Sequence, residues 1–89
     1  MEMKIDKVLT EQMAASVDAA MRFPAIVTLG SAEDLARIQA LGIQPDRVFE
    51  NIAAFSTRLT ASEIATLAEL SEVRLIEADQ PAHAIGTPR

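Results

Sequence analysis

Apolar residues recur along this chain in two rhythms, one helical and one strand-like. Residues 1–8 alternate charged and apolar only weakly, which predicts a frayed end or a short extended segment. Thr10 then reads as an N-cap, with Glu11 beside the positive end of a helix. Met13, Val17, Ala20 and Met21 repeat at helical spacing, Arg22 falls in the last turn and Pro24 stops the run. A helix near 11–22 follows. Ala25-Ile26-Val27-Thr28-Leu29 is short, apolar and β-branched between Pro24 and Gly30, which predicts a strand. Ser31 with Asp34 forms an acidic variant of a capping box. Leu35, Ile38 and Leu41 line one face of a helix over 32–41, ended by the left-handed stop of Gly42.

Gln44-Pro45-Asp46 reads as a turn. Strands are expected over Arg47 to Ile52 and Ala53 to Leu59, the second with Ala53, Phe55, Thr57 and Leu59 on one face. The hairpin between them lacks an Asn-Gly or Asp-Gly signal. Thr60 and Glu63 make a full capping box before a helix near 61–70, with Ile64, Leu67 and Ala68 inward. Val73 to Ala78 is the last predicted strand, with Val73, Leu75 and Glu77 on one face. Pro81, Gly86 and Pro88 exclude a regular central strand or helix from residues 79–89, leaving an extended tail.

From residue 25 the order is strand, helix, strand, strand, helix, strand. Two right-handed crossovers then place both helices on one face of an antiparallel sheet. The expected fold is α+β: a ferredoxin-like βαββαβ sandwich in spatial order 4-1-3-2, with an extra N-terminal helix and an extended C-terminal tail. The chain divides into an N-terminal extension (1–23), a sandwich domain (24–79) and the tail (80–89).

At 89 residues there is room for one small core. Apolar residues make up 49% and aromatics only 3%, namely Phe23, Phe49 and Phe55, so the core must be largely aliphatic. The formal charge of −5, with basic residues scattered singly, argues against nucleic acid and anionic membranes as partners. There is no cysteine, which excludes disulfides and thiolate chemistry. No apolar run approaches the roughly 20 residues of a membrane-spanning helix. Met1 to Lys7 lacks signal-peptide character. The expected compartment is the cytoplasm, or an extracellular or periplasmic space if the domain is excised from a secreted precursor.

Catalytic chemistry finds few residues. His83 is the one histidine and falls in the tail. Ser31 and Ser62 are accounted for as helix-start residues, and no serine lies in a nucleophile-elbow context. Asp79 and His83 would gather a metal only on a helix, which Pro81 interrupts. Glu33-Asp34 suits a helix N-terminus, and Gly30 alone is a weak phosphate-loop signal. The expectation is a non-enzyme without cofactor or metal. A small core has no use for Gln80-Pro81-Ala82-His83-Ala84-Ile85, so the tail is either an idle end or a binding element.

The segment Val73 to Ile85 resembles the end of the subtilisin propeptide domain: a strand, Glu-x-Asp, two residues, then Ala-His-Ala and a large residue. Ala25 to Leu29 matches that family's opening strand, Phe55-Ser56-Thr57-Arg58-Leu59 its Phe-x-Ala-x-Leu strand, and Thr60 to Leu70 its second helix. The likeness covers about residues 24–85 and is carried most specifically by the tail. It points to the subtilisin propeptide-like protease inhibitors. The resemblance implies that the sheet face docks on two surface helices of a subtilisin-like serine protease. Glu77 and Asp79 would cap the N-termini of those helices. The tail would add as a strand in the cleft. Ile85 would enter the primary specificity pocket and Ala82 the pocket three residues upstream. Ala84 would fit the crowded position beside the catalytic His, and His83 would point to solvent.

Two departures stand out. Ala53-Ala54 replaces the Asn-Gly often found in family hairpins. The chain also continues past the large residue with Gly86-Thr87-Pro88-Arg89. Those residues either run into the leaving-group side of the cleft, making Ile85–Gly86 a candidate cleaved bond, or are the remnant of a junction to a protease. A slowly cleaved inhibitor, monomeric when free, is the first functional expectation. The same domain acting as an intramolecular chaperone of a protease is the second. A small-molecule-binding or oligomerising regulatory module on the same sandwich is the third.

Overall fold

Phe23, Ala25, Val27 and Leu29 alternate along one strand, and around them the core is assembled. The computed structural model describes residues 4–79. Its elements are α1 (Lys7–Ala15), β1 (Arg22–Leu29), α2 (Asp34–Ala40), β2 (Arg47–Phe49), a 3-10 turn (Glu50–Ile52), β3 (Ala54–Thr60), α3 (Ala61–Ala68) and β4 (Val73–Ala78). The four strands form one sheet in the order β2-β3-β1-β4, with every neighbouring pair antiparallel. The fold is the expected ferredoxin-like α+β arrangement.

Residues Leu9 of α1, Ile38 of α2 and Ile64 and Leu67 of α3 join Phe23, Ala25, Val27, Phe55, Leu59, Val73 and Ile76 in one buried cluster. All three helices therefore cover one face of the sheet. The core is aliphatic apart from Phe23 and Phe55, as the composition demands. α3 begins with the capping box read from the sequence. The Glu63 backbone N–H donates to the Thr60 hydroxyl, and the Thr60 N–H donates to the Glu63 carboxylate. Gly42 takes a φ of 93° at the end of α2, a left-handed turn that suits a residue without Cβ.

The first helix departs from the expectation of 11–22. Asp6, not Thr10, is its N-cap: the Asp6 carboxylate accepts from the Leu9 N–H at 2.8 Å. Thr10 instead donates its hydroxyl back to the Asp6 carbonyl. The helix ends at Ala15 because the next polar side chains hold their own backbone. Ser16 Oγ accepts from the Asp18 N–H, and Asp18 Oδ1 accepts from the Ala20 N–H. Val17 is fully exposed and Met21 half-exposed, so the stripe Met13-Val17-Ala20-Met21 is not the buried one. Leu9 is.

Pro24 does not stop a helix but lies inside β1, a central strand. Its carbonyl accepts from the Asp79 N–H at 3.0 Å, so its nitrogen faces the same side, beyond the last β1–β4 ladder pair. Proline has no N–H to return to Asp79, and the β1–β4 ladder ends there. Residues 4–6 run as a short extended stretch along the outer edge of β4. The Ile76 N–H donates to the Lys4 carbonyl, and the Asp6 N–H to the Ile76 carbonyl. That edge of the sheet is thereby covered.

β2 is shorter than expected. It stops at Phe49, and the 3-10 turn with a left-handed Ala53 (φ 48°) reverses the chain into β3. β4 occupies the expected residues, but its inward face differs. Its register with β1 shifts between Thr28 and Leu29, so that Leu29 pairs with Val73 and Thr28 with Leu75. This bulge puts Arg74 out of step and turns both Val73 and Ile76 into the core. Leu75 goes to the opposite face.

Candidate functional site

The face of the sheet turned away from the helices has no described element over it. Cross-strand pairing arranges it in rows. One row runs Phe49, Ala54, Thr28, Leu75 from β2 to β4, and the next runs Arg47, Ser56, Ile26, Glu77. A third holds Arg58 beside Pro24, with Asp79 bonded to Pro24 one step past β4. Period-two alternation puts Glu77 and Asp79 on this same face. The sequence anticipated the pair; their common neighbours, Ile26 and Pro24, emerge only from the register.

Ala54 and Ser56 are buried in the middle of the face, while Phe49, Ile26, Thr28, Leu75, Glu77 and Asp79 are each partly exposed. Sequence reading did not pick out Ile26, Thr28, Leu75 or Arg47 as surface contacts. The signal for Leu75 was masked by the bulge, which reverses the strand's phase. The Arg47 guanidinium lies over the Phe49 ring, 5.4 Å from its centroid. Arg58 is 3.8 Å from Asp46 in an exposed pair. Among the described residues, neither Glu77 nor Asp79 forms a side-chain hydrogen bond or ion pair. Both residues are partly exposed on this face.

β4 delivers Asp79 at the rim of the sheet beside the start of β1. Ala82, His83, Ala84, Ile85 and Gly86 follow it in sequence and lie outside the described residues. No three His, Cys, Asp or Glu side chains converge among the described residues. Among those same residues, no helix is long and apolar enough to cross a membrane. Comparison of the chain with protein-family models, with curated proteins and with solved structures returns no match.

Proposed function

We propose that this protein inhibits subtilisin-like serine proteases by docking its open sheet face and placing its C-terminal tail in the active-site cleft. The observation that carries this reading is the placement of Glu77 and Asp79. They lie side by side on the open face, without partners among the described residues, at the end of the strand that leads into Gln80 to Ile85. A carboxylate held in that position can accept the unpaired N–H groups at the start of a partner helix and meets the positive end of its dipole. The half-exposed Ile26, Thr28 and Leu75 supply apolar contact beside it.

The tail supplies the rest of the reading, through the likeness of residues 73–85 to the end of subtilisin propeptides. Main-chain hydrogen bonds would hold Ala82 to Ile85 as an added strand, with Ile85 in the primary specificity pocket. A folded domain that anchors one end of the tail lowers the ordering cost of binding.

The test is a titration into subtilisin turning over a chromogenic peptide, beside a variant lacking Gln80 to Arg89. Inhibition by the full chain and its loss in the truncated variant are expected. Unchanged turnover at tens of micromolar full chain rejects the inhibitor reading. Equal inhibition by both proteins rejects the tail.

A further inference from the structure

The open face carries opposite charges at its two sides, and their placement makes the face complementary to itself. Arg47 on β2 and Glu77 on β4 end the same cross-strand row, with Ser56 and Ile26 between them. Neither makes an ion pair with another described side chain. In the adjoining row Arg58 lies on the β3 side, screened in part by Asp46, and Asp79 lies on the β4 side. The remaining row, Phe49-Ala54-Thr28-Leu75, carries no charge.

Consider a two-fold axis parallel to the strands, between two stacked faces and over the boundary of β3 and β1. It lays β2 of one copy over β4 of the second and β3 over β1, with each row over its own counterpart. Arg47 then meets Glu77 of the second copy twice, once in each direction. Arg58 is offset sideways by one strand spacing, about 4.8 Å, from the strand position of the second copy that carries Asp79. The uncharged row stacks on itself, Phe49 toward Leu75. Aligned sheets pack about 10 Å apart, a gap that two long side chains close from both sides. All three rows are satisfied by one axis. A stack with the axis across the strands would set unlike rows against each other.

We infer that the open sheet face is a self-association surface, used in a weak symmetric dimer of this chain. Four strands and three rows span roughly 400 Å² on each copy, about 800 Å² in all. That is under the roughly 1,200 Å² typical of stable complexes. The charge of −5 on each copy opposes approach at long range. So small an interface is expected to associate weakly, with a dissociation constant on the order of 100 µM as the working value for the test. The inference rests on the strand register and not on the protease reading. If both hold, dimer and protease complex exclude each other, because they use the same face.

Sedimentation equilibrium of the full chain tests it, with Arg47→Glu, Glu77→Arg and the double exchange. At about 10 µM the wild type is monomeric, and near 1 mM it is mostly dimer. Each single exchange leaves monomer at 1 mM, and the double exchange restores the dimer. A monomeric wild type at 1 mM, or association unchanged by Arg47→Glu, overturns the inference. Single exchanges that abolish association without rescue by the double overturn the pairing. Should a variant fail to fold, amide shifts of the wild type on dilution decide instead. Shifts centred on Ile26, Thr28 and Leu75 support the face, and shifts centred on α1 or α3 reject it.

Discussion

Ile26 stands directly opposite Glu77 across the β1–β4 ladder, so an aliphatic side chain and a carboxylate share one spot on the open face. Asp79 follows beside Pro24. If the two carboxylates cap partner helices, each contributes about 1 kcal/mol to binding. Replacing both, Glu77→Gln with Asp79→Asn, should weaken subtilisin inhibition about 30-fold, from about 2 kcal/mol in total. Folding stability should change by less than about 0.5 kcal/mol, since neither has a described partner to lose. An inhibition constant that does not move removes the capping role.

Under the proposed function, Ile85 would enter an apolar pocket of the protease. Ile85→Asp buries a charge there and should weaken inhibition by several kcal/mol, roughly 100-fold or more. Inhibition constants for the two proteins, measured side by side, check the assignment, and equal constants reject it.

Leu9 has no solvent exposure and packs in the main core, although it belongs to the helix that precedes β1. Leu9→Ala should cost about 2–5 kcal/mol, a large share of the stability of so small a domain. Val17→Ala, at an exposed position of the same N-terminal region, should stay within about 0.5 kcal/mol. Urea unfolding of the two variants separates a structural helix from a dispensable one.

Ala53 holds a left-handed conformation with φ 48°, and its carbonyl accepts from the Leu29 N–H at 2.8 Å. An alanine there carries a Cβ penalty of about 1–2 kcal/mol. Glycine removes it at the cost of greater freedom in the unfolded chain. Ala53→Gly should therefore stabilise the protein by about 0.5–1 kcal/mol, against the usual sign of such a change. A lower melting temperature would contradict the conformation.

Glu72 accepts from Arg37 across the space between α2 and the start of β4. A hydrogen bond from its own backbone N–H, then the one from Arg37, holds its carboxyl below the ordinary value of 4.5. With the folded pKa lowered, the contribution to stability is present above 4.5 and is lost as pH falls through the folded value. Glu72→Gln should lose less stability than the wild type between neutral pH and pH below 4.5. Thermal melts across that range would show it, and parallel profiles would refute it.

Much of this fold is written locally. Val73–Ala78 is a strand because β-branched and aliphatic residues stand between a helix end and a proline-rich tail. Thr60 and Glu63 start α3 because their side chains satisfy each other's backbone within one turn. Gly42 ends the second helix for an equally local reason. The errors arise where local signals compete. Asp6 and Thr10 are both acceptable N-caps, and Leu9 decides between them by entering the core. Arg47 to Ile52 has strand composition throughout, but the reversal into β3 takes its last three residues. Of the candidate site, Glu77 and Asp79 were legible because a two-residue spacing on a strand shares a face. Their neighbours were not.

The sequence alone determined the order of elements, the aliphatic core, the acidic surface and the pairing of Glu77 with Asp79, because each depends on spacing within one segment. Tertiary structure decided which residues stand beside them. The bulge opposite Leu29 turned Leu75 outward and Ile76 inward, and the ladder set Arg47 in line with Glu77. Register is a relation between strands distant in sequence. It is fixed by what the whole core can bury, and no single segment carries that information.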